Sequence, residues 1–305
     1  MSRKLKHLAA DLAAKVTWEV FSQRREPSPK IAILCYHRVL PELVEDAEDP
    51  VYTVLPEQFE AQLDFLVKAG FRSLSLEEFG EMALGLKPCT KRAVVITFDD
   101  GYADNYALAW PLCRKYGIRL NLFLATGAIG LSQPMVMTKQ GYRFLNNESD
   151  SEKSSGYFQA HIRKFPHLWR PLNWQEIEEM YQAGVSLGLH GHSHHNLACL
   201  SPDEITKEIA ASLGTFQRKL GVRPRFMALP YGGYESNTPE IVALLQQFGL
   251  RFVFTTIPGR ASVPSRSPLF PRLLIYQHDG LEVFRRKLFG AYDWLERLKR
   301  FLRKS

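Results

Sequence analysis

Two adjacent carboxylates, Asp99 and Asp100, end the run Val94–Tyr102 (VVITFDDGY), where Val, Ile and Phe give way abruptly to acid and glycine. Buried neighbouring carboxylates repel, so the pair needs a cation or a shared proton. Taken alone, the segment also reads as a solvated Asp-Gly turn. A second apolar run, Val185–Leu189, leads into His190–His195 (HGHSHH), which holds four of the nine histidines of the chain. His190 and His194, four residues apart, converge on one ion if the segment turns helically. With one aspartate they make an N,N,O set with open positions, the composition of a catalytic rather than a structural metal centre. His192 and His195 are expected to line or support the pocket. An iron oxygenase with two histidines and one carboxylate uses the same ligand set, but it leaves one aspartate without a role.

The elements that must position these groups alternate along the chain. Apolar runs at Ile31–Tyr36, Phe71–Leu76, Ala93–Phe98, Ile118–Leu124, Val185–Leu189, Arg225–Leu229, Leu250–Thr255 and Arg272–Tyr276 predict strands. Helical patterns fall between them at Glu57–Lys68, Asn105–Tyr116, Trp174–Gln182, Pro202–Leu220 and Thr238–Phe248. Asp104 is expected to cap the second of these helices, with Gly117 just past its end, and Ser201 precedes Pro202 at the start of the fourth. Such alternation implies a parallel sheet, and about eight repeats suggest a closed or distorted βα barrel, with an open doubly wound sheet as the alternative. Either fold places chemistry in the loops after the strands. Asn146–Gly156 (NNESDSEKSSG) reads as a solvated surface loop, or as a lid over the site.

The paired motifs, TFDDG and the H-x-x-x-H segment, resemble those of the polysaccharide deacetylase (NodB-type) family of carbohydrate esterases. The likeness covers roughly residues 30–288, from ILCYHRV and AQLDFLVKAGFRSLSLEEF through TFDDGYADNY and NWQEIEEMYQAGVSLGLHGHSHHNL to FMALPYGGY. It implies a distorted (β/α) barrel of that type, with Asp99 as catalytic base and Asp100, His190 and His194 as metal ligands. It also implies the backbone N–H of Tyr231 as an oxyanion donor and a late histidine as general acid. His278 in LLIYQHDG is placed for that role, a surface histidine being the alternative. The arginine that often stands two residues before the Pro-Tyr-Gly turn is Ala228 here, and Arg272 is the candidate to supply its charge. His37 in CYHRV is expected to support the site. Trp174 and Tyr234 fit either a sugar face or the core. The implied cofactor is a divalent ion, zinc by default, with cobalt, nickel or manganese compatible.

Size and charge bound the rest. The chain has 305 residues, 45% of them hydrophobic, enough for one large core. Expected divisions are a basic amphipathic extension at 1–27, a catalytic domain at 28–290 and a basic amphipathic helix at 291–305. The four cysteines, Cys35, Cys89, Cys113 and Cys199, show no paired spacing, which argues against a disulfide framework and a cysteine zinc site. Residues 1–25 carry six Lys/Arg against two acidic residues, and residues 285–305 carry eight against two. The net charge of +7 therefore sits on the ends and leaves the middle acidic, which argues against a nucleic-acid binder. Apolar residues at helical spacing in both ends suit an interfacial helix on an anionic membrane, with packing on the barrel as the alternative. With neither a membrane span nor a secretory signal evident, the expected place is the cytoplasm, peripheral on the inner face of the membrane. The expected function is deacetylation of an N-acetylated, lipid-linked or envelope glycan, with a non-catalytic glycan-binding protein on the same fold as the alternative.

Overall fold

The computed structural model describes residues 30–43, 52–138, 141–144, 156–291 and 293. The two basic ends and nearly all of the Asn146–Gly156 stretch lie outside the described residues, so the expectations for them are not addressed by the fold. The strands are β1 (Lys30–Tyr36), β2 (Arg38–Val39), β3 (Thr53–Val54), β4 (Arg72–Ser73), β5 (Ala93–Phe98), β6 (Asn121–Leu124), β7 (Met135–Thr138), β8 (Gly141–Phe144), β9 (Ser186–Leu189), β10 (Phe226–Ala228), β11 (Phe252–Phe254), β12 (Ala261–Ser262), β13 (Leu269–Phe270) and β14 (Leu273–Leu274). The helices are α1 (Pro56–Lys68), α2 (Leu76–Ala83), α3 (Trp110–Lys115, preceded by a π-helical turn), α4 (Gly156–Lys164), α5 (Pro166–Trp169), α6 (Trp174–Gln182), α7 (Pro202–Leu220), α8 (Pro239–Gln247) and α9 (Leu281–Leu288).

The main sheet runs in the order β12-β1-β5-β6-β9-β10-β11-β13, with β4 beside β5 and β14 beside β1. All its pairings are parallel except β1 with β12. The segment from β13 to β14 bridges the ends of the sheet: Val253 and Phe254 pair with Leu269 and Phe270, and after two intervening residues Leu273 and Leu274 pair with Leu34 and Cys35. The sheet thereby becomes a nearly closed barrel, the distorted form expected, and the open doubly wound alternative falls.

Strand side chains alternate between faces, and two buried clusters separate accordingly. Ile31, Ile33, Val95, Phe123, Phe226, Phe252 and Phe254 fill the barrel. Ala32, Leu34, Val94, Ile96, Leu122, Met227 and Val253 pack outward against the helices. Counting by twos along the inner face leads from Ile31 and Ile33 to Cys35 and His37, from Ala93 and Val95 to Thr97 and Asp99, and from Ser186 and Gly188 to His190. The parity that fills the barrel with hydrocarbon therefore delivers a polar group at the end of each of these three strands.

Capping explains the helices whose bounds match the sequence reading. Asn173 with Glu176 and Ser201 with Glu204 form reciprocal capping boxes at the starts of α6 and α7. Asp104 departs from expectation. It makes no capping bond, because its carboxylate accepts from Arg38 Nε at 3.1 Å and from the Val39 N–H at 2.6 Å. A buried carboxylate facing a guanidinium gains more from that charge than from a helix end.

Gly188 faces the barrel interior, where a Cβ would sit 2.4 Å from the Phe123 ring and 3.0 Å from the Phe226 carbonyl oxygen. Gly188→Ala overpacks this layer and should lower the unfolding free energy by about 1–3 kcal/mol in chemical denaturation. An unchanged midpoint would mean that the phenylalanine layer yields.

A candidate metal centre at the mouth of the barrel

Asp99 and Asp100 follow β5 directly, and the turn after them is forced. Asp100 has φ +77°, Gly101 has φ +86°, and Asp100 O and Gly101 O accept from Ala125 N and Leu172 N. A left-handed aspartate is uncommon and costs on the order of 1 kcal/mol or more. The turn aims the two carboxylates differently.

Asp99 points into the barrel and meets Arg272. Nη1 donates to Oδ1 at 2.7 Å and Nη2 to Oδ2 at 2.6 Å, a two-pronged pair in which both side chains are almost wholly buried. Arg272 is held in turn by the Thr255 carbonyl at 3.1 Å from Nε and by Thr97 Oγ1 at 3.3 Å from Nη1. The Cys35 thiol lies 3.5 Å from Asp99 Oδ2. Burial would raise the Asp99 pKa, but the charge of Arg272, and then of His190, outweighs it and holds the carboxyl below its ordinary value. Arg272 thus supplies the charge that Ala228 lacks. Position 228 serves otherwise, since its carbonyl accepts from His190 Nδ1 at 2.9 Å.

Asp100 points the other way, toward the histidines. Its Oδ1 lies 3.3 Å from His190 Nε2 and 3.2 Å from His194 Nε2, and the two Nε2 atoms are 3.1 Å apart. Because His190 Nδ1 donates to the Ala228 carbonyl, Nε2 faces the same point and would offer a lone pair to an ion there. Asp100 Oδ1 is buried yet accepts no well-directed hydrogen bond. Burial pushes the Asp100 pKa up, but the two imidazoles overcome it and hold the carboxyl well below its usual range. Donors bonded at 2.0–2.1 Å around a tetrahedral ion stand about 3.3–3.4 Å apart, close to the spacings here. The donor set fits a divalent cation.

The His190–His194 segment is not helical, contrary to the condition set from the sequence. Gly191 (φ +75°) and His194 (φ +59°) take left-handed conformations, so the chain loops instead. Glu208 on α7 holds the loop, accepting from the backbone N–H of His192 at 2.9 Å and of Ser193 at 2.8 Å, and from Ser193 Oγ at 2.7 Å. The sequence reading did not single out Glu208, because a glutamate on an amphipathic helix carries no local signal of its partner. His192 turns away to Thr126 Oγ1, 3.0 Å from its Nδ1, as expected of a supporting residue. His195 is partly exposed. Tyr231, left-handed at φ +57°, sets its ring 5.4 Å from that of His194.

The two further histidines separate. His37 stands beside the carboxylates: a nitrogen of its ring, Cys35 Sγ and an Asp99 oxygen all lie within 4.8 Å of one another. Its Nδ1 is buried without a hydrogen-bond partner. Burial lowers its pKa, a tendency that Asp100 and Asp99 only partly offset. His278 is exposed and stacks on Tyr276 at 5.4 Å, with Tyr52 lying between Tyr276 and His37. Trp174 packs edge-on to Phe216 against the outer core.

Comparison with known proteins decides the family. Residues 87–253 match the model of the Polysaccharide deacetylase family, a stretch holding Asp99, Asp100, His190, His194 and Tyr231. The chain belongs to that family. YxkH of Bacillus subtilis (strain 168) is 26% identical over 239 residues, 78% of this chain and 69% of the relative. The poly-beta-1,6-N-acetyl-D-glucosamine N-deacetylase of Staphylococcus aureus (strain MRSA252) is 26% identical over 255 residues, 79% and 74% of the two chains. Among solved structures, the Streptococcus pyogenes deacetylase PplD in complex with acetate is similar at TM-score 0.64 and 24% identity, covering 86% of this chain and 99% of that one. IcaB from Ammonifex degensii reaches 0.62 at 23%, covering 86% and 97%. The polysaccharide deacetylase fold and a carbohydrate deacetylase as the enzyme class follow, while His37, Arg272 and His278 lie outside the matched stretch.

Two outcomes test this geometry. His194→Ala should lose stoichiometric metal by elemental analysis, whereas His192→Ala should keep most of it; full occupancy in the former rejects the ligand set. Arg272→Met strands a buried carboxylate and should cost about 3–5 kcal/mol of stability, read from denaturant unfolding.

Proposed function

We propose that this polysaccharide deacetylase hydrolyses N-acetyl groups on an N-acetylglucosamine-type glycan, using a divalent ion held by Asp100, His190 and His194. The observation that supports it most directly is the close approach of an N,N,O donor set to an aspartate neutralised by a buried arginine, at one end of the barrel. The names of the Staphylococcus aureus relatives support the glycan class. An ion at this site supplies a Lewis acid for the acyl carbonyl and for the attacking water.

The remaining work falls to the protein. Asp99, kept ionised by Arg272, takes the water's proton as general base. The Tyr231 N–H serves the developing oxyanion. The amide C–N bond then breaks, acetate forms, and the sugar nitrogen takes a proton from an acid. His278 was the sequence-based choice for that acid, but the contacts favour His37, whose ring borders Asp99 while His278 stays exposed beyond two tyrosines. The Asp99–Arg272 pair also counts against the iron oxygenase and glycan-binding alternatives, neither of which needs a neutralised second carboxylate. A lipid-linked glycan and an anionic membrane surface, expected from the basic ends, belong to the same proposal. Among the described residues no helix is long and apolar enough to cross a membrane.

Metal-loaded protein incubated with N-acetylglucosamine oligomers should release acetate, with matching loss of acetyl groups by mass spectrometry. No release from any N-acetylated glycan would sink the reading. Asp99→Asn should still bind metal and lose roughly 10²–10⁴-fold in turnover. His37→Ala should lower kcat on a comparable scale while His278→Ala leaves it within a few-fold; the reverse pattern returns the acid role to His278.

A further inference from the structure

The barrel is electrically lopsided along its axis. The connections that lead into strands lie at the end opposite the metal centre, here called the floor. They carry Arg72, Lys87, Lys91, Arg92, Arg119, Arg223, Arg225, Arg251, Arg260 and Arg266, and no acidic residue occurs in 69–72, 84–92, 116–120, 221–225, 248–251 or 257–268. All but Arg260 are exposed. Some are neutralised by helix acids: Arg72 and Arg119 share Glu78, and Lys87 pairs with Glu81. Lys91, Arg223, Arg225, Arg251 and Arg266 have no ion-pair partner among the described residues. Basic residues in last helical turns complement helix dipoles, but these five lie beyond those turns, in the connections. The described mouth has the opposite bias, since Asp99, Asp100, Asp104 and Asp279 follow the inward strand ends there.

Both chain ends are rooted at the floor. Lys30, the first residue of β1, pairs with Asp293 at 2.7 Å, and Arg260 pairs with the same carboxylate at 3.0 Å. Residues 1–25 and 294–305, with six and five Lys/Arg against two and one acidic residues, therefore join the described chain beside the basic connections.

We propose that the barrel floor, around Arg223, Arg225 and Arg251, is a docking surface for an anionic lipid bilayer, and that it holds the catalytic mouth facing away from that bilayer. The described floor presents one sign of charge, the sequence beyond Lys30 and Asp293 carries the same sign, and an anionic surface repels the carboxylates of the mouth. Strands of six or seven residues hold the mouth about 20 Å above the floor. A docked enzyme then works on the outer sugars of a lipid-linked or surface glycan rather than on those next to the lipid. This extends the membrane part of the functional proposal and is independent of its chemistry.

The test is cosedimentation of the full chain with phosphatidylcholine vesicles, with and without phosphatidylglycerol, alongside the variant Arg223→Gln/Arg225→Gln/Arg251→Gln. Binding should require the anionic lipid and fall steeply as salt rises. Each basic residue near such a surface is worth about fivefold, so the variant should bind about 100-fold more weakly. It should deacetylate a soluble oligomer at the wild-type rate, and vesicle-bound wild type should do the same. Three outcomes would overturn the proposal: no binding of the full chain at low salt, equal binding by the variant, or a preference for duplex DNA over vesicles. Failure of the deacetylase reading is distinct, since it would show as no acetate released without vesicles.

Discussion

A carboxylate sealed inside a barrel is costly, on the order of several kcal/mol even after relaxation, unless an opposite charge sits against it. Asp99 meets that condition through Arg272, and the two come from the parts of the chain that must meet for the sheet to close. β5 brings the aspartate, and the residues between β13 and β14 bring the arginine as the segment passes from β11 to β1. Barrel closure and neutralisation of the proposed base are one event. Until the seam forms, Asp99 has no guanidinium, and until Asp99 is in place the fully buried Arg272 has no counter-ion.

Around that pair the mouth is shaped by strained backbone. Asp100, His194 and Tyr231, all left-handed without being glycine, stand at the donor set or beside it. Such conformations persist where surrounding bonds over-determine them. Ala125 N and Leu172 N bond the turn that contains Asp100, and Glu208 bonds the loop between the histidines. Helix α7, outside the barrel, thus takes part in placing the proposed metal ligands inside it. Outer contacts of this kind commonly weigh 10–100-fold in metal affinity.

Division of the barrel into two ends also organises its electrostatics. Carboxylates gather at the mouth around the proposed metal ligands, and guanidinium groups gather at the floor where the strands begin. In a parallel barrel the two sets of loops can vary separately, because the core between them is packed by strand and helix faces alone.

Much of this was legible in the chain itself. A short unbroken apolar run made VVITFDD a strand that ends in two carboxylates, and the capping pairs Asn173/Glu176 and Ser201/Glu204 set the starts of α6 and α7, since both signals are local. The histidine cluster was legible for the same reason, and so was the family likeness carried by the two motifs. Tertiary structure alone decided the rest. Arg272 and Asp99 are 173 residues apart, and nothing near either one reveals the other. Asp104 looked like a helix cap until the fold set Arg38 beside it. His190 and His194 suggested a helical turn by their spacing, yet a left-handed loop held by Glu208 brings them together. His37 and His278 follow strand runs equally in the sequence, and only the packed barrel puts the first beside Asp99 and stacks the second on Tyr276 at the surface. Propensity and periodicity act over a few neighbours, whereas the partner of a buried charge is chosen by whatever the closed sheet brings into reach.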